Sequence, residues 1–424
     1  MTVLSGVRVI DLSEYIAGPL AGMLLGDLGA DVIKVEPPSG DRWRLQGKPY
    51  GPNEVKANLS QNRSKRSIAL NLQTDEGKQI VYRLVKSADV VLHNYRPGVA
   101  ERLGVDYETL KVINEGIIYC HNTAFGTDGP MKNKGGYDIL STAATGFLTG
   151  PAGRMEDGML QAGIGIPVAD ASSGMFSAMA ICAALWQKER TGIGQRIDTS
   201  LFGSGIAVQN SRFTSVEKED GEIREQFLDD LGEMYSKQVS LEDVLSKRIV
   251  APQPAGSRMY FRAYETKDRP IVIACLNDRL RQRVADILKI QDPRFEDPNF
   301  DGFADEYLEK AEKVTKEIEK IMRTKTRDEW NEIFDAADVP CGPVNILEEL
   351  FEDEQVLAND LIVELEHSVV GPIKMAGAPY KFSATPLNIH KASPALSEHA
   401  QEILDEIGYS PEEIEDFKSN SIVT

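Results

Sequence analysis

Residues 1–125 alternate short β-rich runs with helical segments, and this alternation constrains the fold more than any other feature of the chain. In one of the helical segments, residues 74–87, apolar side chains recur at helical spacing. Strands that alternate with helices predict βαβ units in a mainly parallel sheet, which binds ligands at the carboxyl ends of its strands. The sequence therefore predicts an α/β fold with a Rossmann-like domain. The β-rich runs are residues 7–13, 30–36, 66–72, 88–95 and 116–125.

A chain of 424 residues is too long for one ordinary core, so we expect two domains. The small domain opens with a predicted hairpin whose turn is KDRP and continues with amphipathic helices, which makes it α+β. Long linkers would join the two. The predicted division is 1–214 for the first part of the large domain, 215–250 for a charged helical linker, 251–335 for the small domain and 336–424 for a return to the large domain.

The formal net charge of −19 argues against a nucleic acid or an anionic membrane as partner, because phosphate contacts need a basic surface. Lys and Arg residues nevertheless cluster in the N-terminal third, at residues 62–66 (NRSKR), Arg96 and Arg102. This asymmetry predicts that the N-terminal third handles an anion. No uninterrupted apolar run reaches the roughly 18 residues needed to cross a bilayer, so we expect no membrane partner.

The N-terminal sequence MTVLSGVRVIDLS lacks the basic and apolar regions of a secretory signal. Four widely spaced cysteines, Cys120, Cys182, Cys275 and Cys341, are typical of reduced thiols, so we predict a cytoplasmic protein. The five histidines have no metal-ligand spacing, and no metal is predicted. There is neither a G-x-G-x-x-G sequence after the first strand nor a Walker A sequence, so no permanently bound nucleotide cofactor is predicted.

Asp170 is the single charged residue between Ala162 and Gln187, where it precedes an apolar run that predicts a helix buried on every side. The local pattern favours an N-cap, because Asp often satisfies the free N–H groups of a helix start. A second interpretation uses the same position. A helix N-terminus keeps a carboxylate ionised in apolar surroundings, and small neighbouring residues leave its oxygens accessible, as a carboxylate nucleophile requires.

Residues 92–104 (LHNYRPGVAERLG) are a second unusual stretch, in which a strand ends and a helix begins. Asn94, Tyr95 and two arginines at the carboxyl end of a parallel strand would suit an adenine and phosphates. A plain turn with surface arginines explains the same residues. Residues 11–22 (DLSEYIAGPLAG) form a third stretch, a strand end followed by a small-residue helix start, which by itself indicates only close packing.

Taken together, these stretches resemble the family III CoA-transferases, which include formyl-CoA:oxalate and crotonobetainyl-CoA:carnitine transferases and the α-methylacyl-CoA racemases. The resemblance covers nearly the whole chain and implies that Asp170 is the catalytic nucleophile, since it occupies the family's aspartate position in ADASSG. The matching pieces, in chain order, are GVRVIDLSEYIAGPLAGMLLGDLGADVIKVEPPSGD, NRSKRSIALNL, NYRPG, GYDIL, VADASSGMFSAMAICAAL, TGIGQRID and VPCGPVNILEELFEDEQV.

The resemblance also implies the substrates, the contacts and the assembly. A CoA thioester and a carboxylic acid would be substrates, with succinyl-CoA as a candidate donor and the acceptor acid open. Two ring-shaped protomers would thread through each other as an interlocked homodimer. Backbone N–H groups from Ala171 to Gly174 would stabilise oxyanions. The implied contacts to CoA are Tyr15, Ile16, Ala17, Leu70, Asn94, Tyr95 and Arg102, with Tyr137 and Asp138 near the acyl group.

The implied reaction passes through a mixed anhydride of Asp170 and then an aspartyl-CoA thioester. Racemases of the family carry a catalytic His in GHD, whereas this chain has Tyr137 before Asp138. Racemisation needs a base on each face of the α-carbon, so the missing imidazole favours a transferase. An acyl-CoA racemase or isomerase and a non-catalytic acyl-CoA-binding subunit remain as alternatives.

The chain departs from the formyl-CoA transferase type in two places. Pro37 follows the Glu that ends the second strand, where that type has an Arg. No run of glycines occurs in residues 252–260, where that type has a loop that closes over the nucleophile. Part of the phosphate contact and the closure of the site must therefore come from other residues.

Overall fold

The computed structural model describes residues 2–150, 154–156, 159–161, 165–248, 256 and 258–424. Contacts divide the chain into two compact units. The large unit comprises Met1–Lys247 and Ala358–Thr424, and the small unit comprises Arg248–Leu357. Most of segment 252–260, in which the glycine run was sought, lies outside the described residues.

The large unit contains most of the strands and helices. Its strands are β1 (Arg8–Asp11), β2 (Asp31–Glu36), β3 (Pro49–Gly51), β4 (Glu54–Val55), β5 (Lys65–Ala69), β6 (Val90–His93), β7 (Ile118–Thr123), β8 (Arg154–Glu156), β9 (Met159–Gln161), β10 (Arg196–Ser200), β14 (Ile362–His367) and β15 (Gly371–Ala376). Its helices are α1 (Ala17–Asp27), α2 (Lys56–Leu59), α3 (Asp75–Lys86), α4 (Val99–Leu103), α5 (Tyr107–Ile113), α6 (Asp138–Ala144), α7 (Val168–Thr191), α8 (Leu201–Ala207), α9 (Glu217–Ser236), α10 (Leu241–Ser246), α16 (Ala400–Glu406) and α17 (Pro411–Ser419).

The small unit begins with a hairpin, followed mainly by helices. Its elements are β11 (Phe261–Tyr264), β12 (Ile271–Ala274), α11 (Asp278–Leu288), α12 (Pro293–Glu296), α13 (Asp305–Met322), α14 (Arg327–Ala336), β13 (Cys341–Pro343) and, at its end, α15 (Glu354–Ala358). Short 3-10 helices occur at Arg42–Leu45, Asn210–Phe213 and Leu347–Phe351.

A six-stranded sheet forms the centre of the large unit, with the described strands in the order β10-β7-β6-β1-β2-β5. Every neighbouring pair in this sheet is parallel, which confirms the predicted mainly parallel sheet. The chain runs outward from β1 through β2 to β5 and then returns to β6 on the other side of β1. The topological switch point therefore lies between β1 and β6, where open α/β sheets bind ligands.

Helices cover both faces of the sheet, because successive residues of a strand point to opposite sides. Val9 of β1 belongs to a buried cluster with residues of α1 and α7, whereas Ile10 belongs to a cluster with residues of α3, α5, α16 and α17. The chain end returns to the sheet edge, where Val423 forms a β-bridge with Leu70 just after β5. Residues 358–424 thus complete the large unit.

Helix α7 packs closely on α1 because Gly174 has no side chain: a Cβ atom there would lie 2.7 Å from the Ala17 carbonyl oxygen. Three large side chains of α7, Met175, Met179 and Trp186, are nevertheless 53%, 64% and 67% exposed. The prediction of a helix buried on every side is therefore wrong for the single chain. By length and composition α7 could also cross a membrane, although it contains no uninterrupted apolar run of that length; buried core helices meet the same measure.

The predicted hairpin of the small unit is present, since β11 and β12 pair antiparallel. Strand β13 adds to β12 as the third strand, and the small unit by contacts runs on to Leu357, past the predicted boundary at residue 335. Helices α9 and α10 occupy the predicted linker 215–250, and their described side chains are mostly exposed. All four cysteines are free.

Fully buried ion pairs join groups of β1, β2, β5 and the segment after β2: Asp11 ends β1, Lys34 lies within β2 and Lys65 begins β5. Lys65 Nζ lies 2.8 Å from Asp11 Oδ2, and Lys34 Nζ lies 3.0 Å from Asp41 Oδ2. Lys34 Nζ also donates to the Ser13 carbonyl oxygen at 2.9 Å. The turn between β1 and α1 is thereby attached to Lys34 of the neighbouring β2, and the end of β1 is attached to Lys65 of β5, two strands away.

The three cations of the basic cluster at residues 62–66 all form ion pairs within the fold. Arg63 pairs with Asp27 at 2.7 Å and Arg66 pairs with Asp31 at 2.7 Å, in addition to the buried Lys65. These cations are neutralised inside the fold, so Arg96 and Arg102 are the basic residues of the prediction that still line a cavity and could meet an anion. The sequence could not reveal this, because the acidic partners lie at least 35 positions away, and two partners of Arg66, Glu402 and Glu406, lie near the end of the chain.

Candidate active site

A cavity of about 650 Å³ opens at the carboxyl edge of the parallel sheet, beside the switch point. The segments that follow β1, β2, β5 and β6, the end of β7 and the first turn of α7 line it. Ile16 and Asp138 are not among the described residues that line it. The predicted site residues that do line it are Tyr15, Ala17, Leu70, Asn94, Tyr95, Arg102, Tyr137 and Asp170.

Asp170 is the third residue of α7, and Pro167, at the cap position, makes no side-chain cap. The interpretation of Asp170 as an N-cap is therefore wrong. Its half-buried carboxylate has no hydrogen-bond partner among the described residues. Burial raises the pKa of Asp170 to about 7, and the negative charge of Asp138 adds to this rise. The expectation that the helix N-terminus keeps this carboxylate ionised is thus not met, since the pKa of Asp170 is raised rather than lowered.

Asp138, the first residue of α6, caps α7 from outside that helix. Its Oδ1 accepts the N–H of Ala169 at 2.7 Å and the N–H of Asp170 at 3.1 Å. Two of the N–H groups that a helix start leaves unpaired are satisfied in this way. Asp138 thus orients the first turn of α7 and contributes negative charge beside Asp170; its predicted place near an acyl group stays a prediction.

The turn after β1 brings Tyr15 to the cavity in a left-handed conformation, with φ of +68°. A left-handed backbone is uncommon for a tyrosine, so neighbouring groups have to hold it. The buried Asp41 carboxylate does so by accepting the Tyr15 N–H at 3.2 Å. The Tyr15 ring then packs edge-on against Tyr137, with centroids 5.6 Å apart, and both rings line the cavity.

Arg42 is a site residue that the sequence analysis missed. It is exposed, lines the same cavity as Asp170 and hydrogen-bonds to the Tyr15 hydroxyl, which together with the neighbouring Glu14 raises its pKa. Asp41 sets the local backbone by accepting the Trp43 N–H at 2.9 Å. The sequence did contain a signal for Arg42. This chain has Pro37 where a related type has an Arg, and its own Arg follows five positions later, at Arg42.

Asn94 joins the ends of β6 and β1. Its Oδ1 accepts the Glu14 N–H at 2.8 Å and its Nδ2 donates to the Glu14 carbonyl oxygen at 2.6 Å. The amide group, predicted as a ligand contact, is thus largely used to hold the cavity wall together.

Two further arginines, Arg96 and Arg102, line the cavity on the segment after β6. Arg102 is exposed, and its Nη1 donates to the Gly98 carbonyl oxygen at 3.0 Å, which leaves further N–H groups for a ligand. Among the described residues, no group of three or more His, Cys, Asp or Glu side chains could hold a metal ion.

The start of α1 offers backbone donors at the cavity that the sequence did not predict. The Ala171 N–H is bonded to the Pro167 carbonyl oxygen at 2.8 Å, as its place within α7 requires, so it is not free for an oxyanion. Helix α1 starts without a side-chain cap, and within the described chain the N–H groups of Ala17 and Gly18 have no partner. Because Ala17 lines the cavity, the start of α1 supplies donors that the predicted segment does not.

Comparison with known proteins gives a consistent result. The family model described as CoA-transferase family III matches residues 4–400. A succinyl-CoA:glutarate CoA-transferase from Mus musculus is 34% identical over 96% of this chain and 87% of its own length. A succinate–glutarate CoA-transferase from Agrobacterium fabrum is 35% identical over 95% of each chain. The crystal structure of a CAIB/BAIF family protein from Brucella suis has a TM-score of 0.73, at 30% identity over 96% of this chain and 99% of that one.

The unusual pKa of Asp170 is measurable in the free protein. The change Asp138→Asn removes a negative charge but keeps an Oδ1 that still accepts the N–H groups of Ala169 and Asp170. We expect the pKa of Asp170 to fall below 7 while α7 stays in place. The measurement is a ¹³C NMR titration of protein labelled at the aspartate carboxyl carbons, with Asp170→Asn used to assign the resonance.

The exposed Asp128→Asn serves as the matched control and should leave that titration unchanged. If Asp138→Asn also leaves the pKa of Asp170 unchanged, the charge of Asp138 does not act on the nucleophile position.

Proposed function

Because the chain belongs to CoA-transferase family III, we propose that it transfers CoA from an acyl-CoA to a free carboxylic acid with Asp170 as the nucleophile. The observation that carries this proposal is the state of Asp170: a half-buried carboxylate that lines the cavity and has no hydrogen-bond partner among the described residues. A carboxylate that the fold does not use is available to bond to a substrate.

In the first half-reaction, an Asp170 oxygen attacks the carbonyl carbon of the donor thioester. The C–S bond breaks, CoA leaves as a thiolate, and a mixed anhydride joins Asp170 to the acyl group. The thiolate then attacks the aspartyl carbonyl carbon, and the donor acid leaves as a carboxylate. An aspartyl-CoA thioester remains. Binding of the donor beside Asp170 makes each attack intramolecular, which offsets the weak nucleophilicity of a carboxylate.

In the second half-reaction, the acceptor carboxylate attacks the aspartyl-CoA carbonyl carbon and releases the thiolate again. The thiolate attacks the acceptor's carbonyl carbon in the new anhydride, which forms the product acyl-CoA and restores the Asp170 carboxylate. One thioester is exchanged for another, so the reaction needs no nucleotide, redox or metal cofactor. CoA takes part as a substrate rather than as a permanently bound group.

Every attack in this sequence places negative charge on a carbonyl oxygen. The free N–H groups of Ala17 and Gly18, at the start of α1, suit this charge because they belong to a rigid helix held against α7 at Gly174. An anhydride also hydrolyses, so water has to be excluded. The apolar residues 163–169 and the helix α7 that they lead into are proposed to exclude it; residues 163 and 164 lie outside the described residues.

A pKa near 7 suits this chemistry. A carboxylate with a raised pKa is more basic and therefore a better nucleophile, but it is ionised in a smaller fraction of the molecules. At about 7 roughly half of the Asp170 groups are ionised at neutral pH. The active form is the carboxylate, so this ionisation supports activity above pH 7 and opposes it below.

CoA is proposed to lie along the carboxyl edge of the sheet. Arg96 and Arg102 supply the positive charge for its phosphates, and the buried Leu70 supplies an apolar surface for the adenine. Tyr15, Ala17 and Tyr95 line the path from there to Asp170 as predicted contacts.

The acids exchanged are proposed to be dicarboxylic, with succinyl-CoA as the donor. Two relatives are named for succinate or succinyl-CoA and glutarate. In this chain Arg42 lines the nucleophile's cavity next to the hydroxyl of Tyr15, and its guanidinium can bind the distal carboxylate of such an acid with paired N–H donors.

A racemase or isomerase of the same fold is the alternative activity. Tyr137 lines the cavity at the position where racemases of the family carry a His, and no histidine is among the described residues that line it. Racemisation needs a base on each face of the α-carbon, and the imidazole that would supply one of them is replaced here by a phenol. A subunit that only binds acyl-CoA would not need a carboxylate such as Asp170 in its cavity. The presence of Asp170 there supports the transferase.

The assembly is proposed to be an interlocked homodimer in the cytoplasm. The large unit is built from two separate stretches of the chain, with the small unit between them in sequence, as a ring-shaped protomer requires. The stripe of Met175, Met179 and Trp186 on α7 is the kind of apolar surface that a second copy would cover. The four free thiols suit a reducing compartment.

The nucleophile proposal predicts a covalent adduct. Asp170→Asn and Asp170→Ala should each lower the exchange rate by at least about 10⁴-fold, as loss of a catalytic nucleophile does in other enzymes. The wild-type protein, incubated with succinyl-CoA and quenched, should yield an Asp170-containing peptide with the added mass of CoA. Asp138→Asn, which keeps the nucleophile, should still form the adduct. Near-normal turnover in Asp170→Asn would contradict the proposal.

The dicarboxylate proposal predicts a change in acceptor preference. Arg42→Gln should raise the KM for glutarate roughly 10- to 100-fold and leave the KM for the monocarboxylate valerate nearly unchanged, because only glutarate loses a charge-assisted hydrogen bond. Arg102→Gln is the matched control and should raise the KM of the CoA thioester whichever acid is used. If Arg42→Gln instead raises the KM of every CoA thioester equally, Arg42 binds a phosphate.

The assembly proposal predicts both mass and exchange behaviour. Light scattering after size exclusion should give twice the chain mass of 46.8 kDa. Two differently tagged preparations, mixed under native conditions, should form no hybrid dimers, because threaded protomers separate only by unfolding. Refolding the mixture from denaturant should then produce hybrids. A monomeric mass, or hybrids that form without denaturant, would contradict interlocking.

A further inference from the structure

Two histidines that the proposed reaction does not use lie side by side beneath the cavity. His93 ends β6 and His121 lies in the neighbouring β7, and the two residues are register partners in the parallel ladder. Their rings stack with centroids 4.3 Å apart and planes 16° from parallel. The side chain of His93 is buried and that of His121 is only 12% exposed.

Each ring binds one polar group of the same residue, Tyr95. Nδ1 of His93 accepts the Tyr95 N–H at 3.2 Å, and Nε2 of His121 donates to the Tyr95 carbonyl oxygen at 3.2 Å. A carbonyl oxygen can only accept, so Nε2 of His121 carries a hydrogen, and a nitrogen that accepts an N–H carries none, so His93 is protonated on Nε2. The two tautomers are therefore set by Tyr95.

Tyr95 lies two residues beyond the end of β6, where the sheet no longer supplies partners for its backbone. It lines the cavity, and so does Asn94 immediately before it. The two imidazoles thus replace the missing ladder bonds at the point where the strand becomes the cavity wall. Burial lowers the pKa of both histidines, so the neutral forms that make these bonds persist at neutral pH.

A merely structural role explains this arrangement poorly. Nε2 of His93 is buried and has no hydrogen-bond partner in the described part of the chain, which is unfavourable for a polar group. A leucine at this strand end would fill the space without that penalty. The ring is useful because its Nδ1 reaches the N–H of the second residue along the chain.

We propose that His93 and His121 are positioning residues that clamp the backbone of Tyr95 and so hold the Asn94–Tyr95 wall in the shape that binds the acyl-CoA. This inference rests on the proposed function, which places CoA in this cavity. Neither histidine touches the reacting atoms. The clamp therefore affects binding of CoA and its thioesters rather than the chemistry at Asp170.

The test compares two substitutions of His93 of similar size, one that keeps a hydrogen-bond acceptor at the δ position and one that removes it. In His93→Asn, Oδ1 stands the same number of bonds from the backbone as Nδ1 of the imidazole and can accept the Tyr95 N–H. In His93→Leu no acceptor remains. We expect His93→Leu to raise the KM for succinyl-CoA and the dissociation constant of CoA, measured by calorimetry, roughly tenfold. Its kcat should stay within about threefold of wild type.

His93→Asn should restore both constants to near the wild-type values. Equal impairment of His93→Asn and His93→Leu would overturn the inference, because it would indicate a general packing effect. Unchanged CoA binding in His93→Leu, or a loss in kcat alone, would overturn it as well. Thermal denaturation checks that each variant is folded before it is assayed.

The less buried partner provides a second pair in case His93→Leu does not fold. Nε2 of Gln stands as many bonds from the backbone as Nε2 of His and donates, so His121→Gln should bind CoA nearly as wild type does, whereas His121→Leu should bind it more weakly. Arg102→Gln distinguishes a failure of the histidine clamp from a failure of the proposed CoA site. If it weakens CoA binding and the histidine pairs show no difference, the clamp fails and the proposed site stands. If Arg102→Gln and Asp170→Asn leave binding and exchange intact, both fail.

Discussion

The cavity depends on charges buried beneath the strand ends. Burying a single ionised side chain is unfavourable by several kcal/mol, so Asp11, Lys65, Lys34 and Asp41 are stable only as hydrogen-bonded pairs. Their bonds run between β1, β2 and β5 and include the backbone of the turn after β1. That turn carries Tyr15 in its left-handed conformation and leads into the uncapped start of α1. The conformation of the proposed catalytic surface is thus set by electrostatics below it.

The same interior determines the character of Asp170. A solvated carboxylate would be ionised at neutral pH but weakly nucleophilic, whereas a deeply buried one would stay protonated. Its position in the first turn of α7 lies between these limits. Asp138 takes the capping role that the sequence suggested for Asp170, and the carboxylate of Asp170, the proposed nucleophile, has no hydrogen-bond partner among the described residues. In the sequence, Asp170 was a candidate both for capping the helix and for catalysis. In the structure Asp138 caps the helix, and Asp170 keeps only the proposed catalytic role.

The parts of the fold that follow from local pattern were predictable, and the parts that depend on distant partners were not. Alternating strands and helices predicted the parallel sheet and the edge at which the cavity lies. Asp170 was predicted as the nucleophile because it is the single charge in an apolar stretch and because it matches the family's aspartate position. The neutralised cluster at residues 62–66 could not be recognised, because its acidic partners lie on other elements. Arg42 was missed because it lies five positions after the place where the related type has its Arg. Only the conformation of the segment after β2 shows that it reaches the cavity.

The histidine clamp is the clearest case of this limit. His93 and His121 lie 28 positions apart in the sequence, with no shared motif and no metal-ligand spacing. Only the parallel register of β6 and β7 brings their rings together, and only the end of the ladder leaves Tyr95 in need of partners. A site at the carboxyl edge of a parallel sheet is built from the ends of adjacent strands. The residues that support it can therefore lie side by side across two strands and still be far apart in the sequence. In such folds, polar residues paired across strand ends are therefore candidates for positioning roles even where a sequence pattern assigns them none.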